Sequence, residues 1–453
     1  MRKAWRVPLF VVVLVVLVTT GVVTSLQRAT NPSQLPSGLA VTMNAESTAL
    51  YCTGLSAHAG RPERVTFYNT STASRRLSVS VVSNTGHTFN SSIELAGHGM
   101  QSIEPSVVDR GDNFAVAVQI NGGGVVGEEI AGSTITEVPC AAAGVTRWFA
   151  TGFNTLVGSS AYLSVYNPTA TSAVLNASIF TASGFSAPQS LQGLSIPAHA
   201  QTEIDLGTEV VNTENVGVAL TVLRGSVVVV GVQDANNVVS LDSGASSVTN
   251  ETVYPLVTTA QGATAQIRVA NPSDRRAEVT LDVALGTYHV VPQNLSLAPF
   301  SAGLINVTPN SAIPDAGYAD LTLHSSVPVI SALATGTGKW ISLASPVTPG
   351  NAFLLNDFTG RGFGAATVTN TSANPVTVNV SSYLSTTLQV ISDVGLIKLA
   401  GHQSESLFLT IRSFSSTPSE TYLVSSSKPW LVVSLTLPTS PPGVYVVAPL
   451  DGR

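Results

Sequence analysis

The chain has only two cysteines, so it can hold at most one disulfide. Charge is scarce as well: 10% of its 453 residues are charged, against a usual share of about 25%. Only four of the 20 basic residues are lysine, so Ser, Thr, Asn and Gly must cover much of the surface. That composition suits an all-β secreted array better than a cytosolic enzyme. Past residue 30 no stretch shows a capped apolar pattern of helical period, which argues against an α-rich fold. No basic patch exists either. Without residues 1–28 the chain has 16 basic against 26 acidic residues, a net charge of −10, and nucleic acid is excluded as an expected partner.

Long apolar runs are missing everywhere but at the start. Arg2, Lys3 and Arg6 precede Val7–Val23, 17 residues without a charge. As a helix at about 1.5 Å per residue this run matches the thickness of a bilayer's hydrocarbon core. Its basic flank predicts a cytoplasmic N-terminus with everything else outside. No A-x-A site follows, which favours an uncleaved anchor over a signal peptide.

What the chain does have is a repeat. The stretch AYLSVYNPTATSAVLNASIFTASG, residues 161–184, recurs four times, with landmark asparagines Asn69, Asn167, Asn271 and Asn370 spaced 98, 104 and 99 residues apart. Apolar residues fall at every second position on both sides of each asparagine: Val65 and Phe67 before Asn69, Leu77 and Val79 after it. The pattern predicts a hairpin with one buried face, turned at the Asn. A second landmark runs in step with the first, placing His98, His199, Phe300 and His402 at one aligned position. Two landmarks in register make four domains of about 100 residues. Short apolar runs bounded by Gly, Pro and Ser read as antiparallel sandwiches.

The expected fold class is all-β: four tandem immunoglobulin-like β-sandwich domains after one N-terminal transmembrane helix. The predicted boundaries are 1–26 for the cytoplasmic tip and anchor, 27–43 for a stalk, then sandwiches at 44–143, 144–248, 249–348 and 349–453.

Motifs for chemistry are few. The aligned His positions include Phe300, which cannot replace a metal ligand or general base, so they read as half-buried packing sites. His58, His87, His289 and His324 match no ligand spacing. Gly122–Gly127 matches G-x-G-x-x-G but lies inside a strand-rich segment where a dinucleotide site needs a helix, and reads as a hairpin turn. Arg110-Gly111-Asp112 reads as a solvent loop. Sequons such as Asn176-Ala177-Ser178 and Asn306-Val307-Thr308 matter only in a host that glycosylates asparagine. Trp148, Trp340 and Trp430 read as core or junction residues, with a sugar-stacking platform as the alternative. No catalytic residue, cofactor or metal ligand is assigned. Cys52 falls in the first strand of its repeat and Cys140 in the last, strands that can lie side by side in a sandwich, so the two are expected to pair.

The YCTG opening at Tyr51–Gly54, the WFATG opening at Trp148–Gly152 and the repeated V-x-N-P-(S/T) turns resemble a family of uncharacterised actinobacterial envelope proteins. Repeats 1 and 4 depart from it in having Asn-Thr for Asn-Pro. The resemblance implies one membrane segment, tandem β-sandwich modules and a cell-envelope role, and brings no catalytic residues. The expected function is a membrane-anchored, extracytoplasmic, non-catalytic scaffold or protein-binding rod, with an envelope protein or polysaccharide as partner. A glycan-binding array and an enzyme of envelope polysaccharide metabolism are the alternatives.

Overall fold

The computed structural model describes residues 47–447 except 57–62, 70, 98, 106–112, 132–135, 236–237, 259–263, 286–287, 308–317, 337–341, 345–351, 357–363, 373, 385–389, 402, 410–419, 429–430 and 438–442. The expected anchor and stalk lie outside the described residues, as do Arg110-Gly111-Asp112, His58, His98, His402, Trp340 and Trp430. Among the described residues no helix is long and apolar enough to cross a membrane.

The first repeat contains β1 (Ser47–Ser56), β2 (Arg64–Asn69), β3 (Arg75–Ser83), β4 (Thr88–Leu95), β5 (Met100–Ile103), β6 (Asn113–Asn121), β7 (Val125–Ala131) and β8 (Thr136–Pro139). They form two antiparallel sheets, β1-β6-β3-β4 and β5-β2-β7-β8. Leu50, Leu77 and Val118 of the first pack against Val65, Phe67 and Val125 of the second in one apolar core. The period-two pattern has its physical meaning here, since alternate residues of each strand enter the space between the sheets.

The second repeat follows the same order with β9 (Arg147–Phe153), β10 (Ser159–Tyr166), β11 (Ala173–Thr181), β12 (Gly184–Ser186), β13 (Leu194–Ile196), β14 (Gln201–Asp205), β15 (Val216–Arg224), β16 (Val228–Ala235) and β17 (Val238–Asp242). Its sheets are β9-β15-β11-β12 and β14-β10-β16-β17, and β13 adds to β11. The third holds β18 (Thr249–Thr258), β19 (Thr264–Asn271), β20 (Ala277–Leu285), β21 (Tyr288–His289), β22 (Gln293–Leu297), β23 (Ser301–Asn306), β24 (Tyr318–Gly336) and β25 (Ser342–Ala344). The long β24 pairs with β18 and β20 through its first half and with β19 and β25 through its second, so it serves both sheets without a break. The connection there is Ser325-Ser326-Val327-Pro328, without the glycines found at the same place in the first repeat. The fourth repeat has β26 (Ala352–Asn356), β27 (Gly364–Asn370), β28 (Val376–Leu384), β29 (Val390–Leu399), β30 (Ser404–Leu409), β31 (Glu420–Ser426), β32 (Leu431–Leu437) and β33 (Gly443–Val447), in sheets β26-β31-β28-β29 and β30-β27-β32-β33.

Expectations about strand order and about the turns need correction. In an immunoglobulin sandwich the first strand sits beside the second, whereas here β1 pairs with β6, β9 with β15, β18 with β24 and β26 with β31. The architecture is therefore a two-sheet sandwich of another strand order. Nor are the stretches around the landmark asparagines hairpins. β2 and β3 lie in opposite sheets, as do β10 and β11. Their inward faces oppose each other across the core instead of pairing edge to edge, and alternation alone cannot tell these two arrangements apart. The same holds for Gly122–Gly124, which carries the chain from β6 in one sheet to β7 in the other, all three glycines at positive φ.

Each landmark asparagine is buried and locks this arch. Asn167 Nδ2 donates to the carbonyls of Thr171 at 2.8 Å, Ile196 at 3.0 Å and Pro197 at 2.9 Å, while its Oδ1 accepts from the Thr169 amide and hydroxyl. Asn69, Asn271 and Asn370 repeat the pattern with Ser71, Ser273 and Ser372. The asparagine thus ties its own arch to the turn that carries the second landmark. In that turn His199 and Phe300 are exposed, at φ 55° and 54°. They are left-handed turn residues rather than packing sites, which explains why imidazole and phenyl interchange there.

Candidate functional site: the repeat junctions

Polar groups are buried where one repeat meets the next. In the second repeat Val228, Val230 and Val232 point away from their own core, as do Ser164 and Tyr166, yet all are buried. Tyr166 and Val228 pack with Val82 and Ala115 of the first repeat. Val230, Val232 and Leu241 pack with Ala131 and Val138. The next junction repeats this arrangement: Ala270, Ala302 and Ile330 of the third repeat cover Phe180 of the second, with Phe149 and Ala219 partly buried beside them. The repeats therefore meet through strand faces.

The polar contacts match as well. Asn113 opens β6 and donates to the Glu203 carboxylate of the second repeat. Asn215, just before β15, donates to the Gly303 carbonyl of the third at 2.7 Å. Thr53 and Ser164 share a hydrogen bond at 2.9 Å, and Gln201 Nε2 donates to the Ser164 hydroxyl at 2.7 Å. Arg268 holds the same place on β19 that Ser164 holds on β10. Its guanidinium is fully buried and Nη1 donates to the carbonyls of Gly152 and Glu214, each at 2.7 Å. Burial pushes Arg268 down to about 10, against the opposing field of Glu214.

The Thr-Gly dipeptides of YCTG and WFATG lie at these contacts. A Cβ on Gly54 would come 2.7 Å from Val230 Cγ1 and 2.9 Å from Glu129 Oε2. Gly152 sits at φ 98° with its carbonyl on Arg268. Those glycines let the next repeat approach the backbone.

Cys52 and Cys140 are joined by a disulfide, Cα to Cα 4.6 Å, which ties β1 to the residue following β8. Beside it lies Glu129, fully buried and facing the core. The Thr53 amide donates to its Oε1. Burial pushes the carboxyl up to about 8, the Thr53 amide opposes that rise and the Glu63 charge adds to it. Cys52, Cys140 and Glu129 cluster closely enough for a metal, yet both sulfurs are spent on the disulfide.

Of the remaining candidates, Trp148 is core, its Nε1 donating to the Ser243 carbonyl at 2.7 Å. His324 stands exposed 3.6 Å from Glu251 and 3.4 Å from Asp282. Sequence reasoning missed Arg268, Asn113, Asn215 and Glu129. The unbroken apolar run Val227–Val230 was the available signal, because a strand buried on both faces loses its alternation.

Residues 131–342 match a family of unknown function, DUF5719. That span runs from the last residue of β7 through the second repeat and through the third as far as the first residue of β25, including the junction between them. No curated protein matches the chain. Among solved structures, Thermotoga maritima 1070 aligns with 22% of this chain and 92% of its own at 13% identity and a TM-score of 0.20. A tetra-tandem repeat from the extending region of a large adhesion protein aligns with 91% of this chain and 97% of its own, at 12% identity and a TM-score of 0.12.

Proposed function

We propose that this protein is a non-catalytic scaffold of the cell envelope, anchored by Val7–Val23 and presenting its β-repeats outside the membrane to an envelope protein or polysaccharide. The observation that carries the reading is the duplicated junction. Asn113 and Asn215 make the same kind of contact to the following repeat, and the same strand faces are buried at both boundaries. Polar groups buried between modules fix their relative placement, which a spacer or scaffold needs. The Cys52–Cys140 bridge fits an oxidising compartment, and the basic flank of the apolar run fits an N-terminus held inside. Protease added to intact cells tests the placement: the repeats should be degraded while a cytoplasmic marker survives, and full protection would refute it. Crosslinking in intact envelopes followed by pull-down of the full chain tests the scaffold role through the partner recovered.

A second reading, glycan binding, is favoured by one feature. Phe185 is 53% exposed and Phe300 36% exposed, with ring centroids 5.7 Å apart at the rim of the junction between the second and third repeats. Phe185→Ser should abolish retention on purified envelope polysaccharide if that rim binds sugar.

A further inference from the structure

The inward position of the strand beside β2 and its counterparts is held by Glu129 opposite Val65, Gly231 opposite Leu163 and Leu333 opposite Ile267, and the residue at the same register in the fourth repeat is Leu435, paired with Ala366. The carboxylate therefore occurs at this place only in the repeat that has the cysteines. A carboxylate oxygen of Glu129 and both sulfurs lie within 4.8 Å of one another. Its Oε1 is held by the Thr53 amide, next to Cys52 in sequence, while Oε2 takes no hydrogen bond from the described groups. An unpaired buried carboxyl costs stability, and a leucine is accommodated at the same register in the third repeat. Packing alone gives no reason for a glutamate here.

We propose that Glu129 is the proton acceptor for closure of the Cys52–Cys140 disulfide. Cys140 follows β8, an edge strand, whereas Cys52 lies on β1 beside the Thr53 amide that holds Glu129. With the edge lifted, Cys140 loses its thiol proton to solvent and its sulfur attacks a disulfide-bearing oxidant, forming a mixed disulfide and releasing one thiolate. Glu129, then open to water and ionised, takes the Cys52 thiol proton. The Cys52 sulfur attacks the Cys140 sulfur, the new S–S bond forms, and the oxidant's second sulfur leaves with the electron pair of the broken bond. Both cysteines are oxidised and the oxidant's disulfide is reduced to two thiolates, which take protons from water as the pH dictates, the Cys140 proton having gone to solvent and the Cys52 proton to Glu129. When β8 closes, burial holds the transferred proton on Glu129, consistent with the raised affinity of the finished fold.

The test uses the full chain reduced by a phosphine, freed of reductant and mixed with oxidised glutathione between pH 5 and 9, with thiols counted by maleimide mass tagging over time. Glu129→Gln and Glu129→Leu should close about 10²-fold more slowly near pH 6.5. The deficit should vanish near pH 9, where solvent itself ionises a thiol of ordinary pKa about 8.5. Glu63→Gln should close at the wild-type rate, because Glu63 is buried nearby but is engaged by the Ser56 amide. Wild-type rates across the whole range in both Glu129 variants would overturn the proposal. An equal loss in Glu63→Gln would also overturn it, since the effect would then reflect packing at this end of the core.

Discussion

Arg268 Nη1 donates to the main-chain carbonyl of Gly152 at 2.7 Å, from the third repeat into the second. The same nitrogen donates to the Glu214 carbonyl, and Nε and Nη2 reach Gln266 Oε1 at 3.3 and 3.1 Å. One planar guanidinium thus joins the end of β9 to the segment before β15.

Arg268→Met should cost roughly 3 kcal/mol at this junction, because two buried carbonyls lose their donor. Arg268→Lys should recover only part of that, since a single ammonium cannot reproduce the fork. Hydrogen exchange of β9 and β19 reads the effect. Faster exchange confined to those strands is the expected result, with β2 unchanged in the first repeat.

The landmark asparagines carry a second prediction. Asn167→Ala removes three donated bonds and two accepted ones, and should destabilise the second repeat by about 3 kcal/mol, read by urea unfolding of that repeat. Asn167→Asp should be worse, because a carboxylate would face the carbonyls of Thr171, Ile196 and Pro197. Asn69 and Asn370 also begin Asn-Thr-Ser sequons, but both are buried and bonded. In a glycosylating host the exposed sequon asparagines, Asn90, Asn250, Asn294, Asn306 and Asn379, are the sites to find modified, and mass spectrometry should find the folded protein bare at Asn69 and Asn370.

Partly and fully buried carboxylates give the first repeat a pH dependence of definite sign. Burial pushes Glu129 up to about 8 and moves its half-buried neighbour Glu128 in the same direction. Their folded affinity for a proton exceeds the unfolded one, so the stability they contribute is fully present below about pH 4.5 and is lost as pH rises through about 8. For Glu129 alone the loss is of order 4 kcal/mol. Exchange in β7 should therefore be slower at pH 5 than at pH 9 after correction for the intrinsic rate. Glu129→Leu should remove much of that dependence.

How far the sequence was legible depends on which faces a strand buries. Leu77 and Val79 alternate with polar residues because only one face of that part of β3 is covered, whereas on β2 Thr66 and Tyr68 are buried between Val65, Phe67 and Asn69 and the pattern survives only because those two carry hydroxyls. That alternation is identical for two strands that pair and two that oppose each other across a core, so the arch at Asn69 reads as a hairpin until the sheets are known. Strand order depends on pairings some 50 to 70 residues apart, such as Cys52 with Val116, for which one sequence holds no local signal. The junctions were written in the opposite sense: Val228 and Val230 break the alternation because their outer face is covered too. Nothing local to Arg268 announces that a second repeat encloses it.

His199 offers the sharpest test of a corrected expectation. It is exposed at φ 55°, and Phe300 holds φ 54° in the corresponding turn. For a residue with a Cβ that conformation costs about 1 kcal/mol, a cost that glycine does not share. His199→Gly should therefore leave the second repeat as stable or raise it by up to about 1 kcal/mol, offset in part by glycine's greater freedom when unfolded. His199→Val should lower stability by 1 kcal/mol or more, because a β-branched residue is a steric outlier at positive φ. His199→Phe should be close to neutral, as Phe300 already occupies the equivalent turn. A packing role would reverse the order, with Phe and Val tolerated and Gly destabilising. Urea unfolding of the second repeat in the three variants separates the two accounts, and a loss of more than 1 kcal/mol in His199→Gly would rule out the turn explanation.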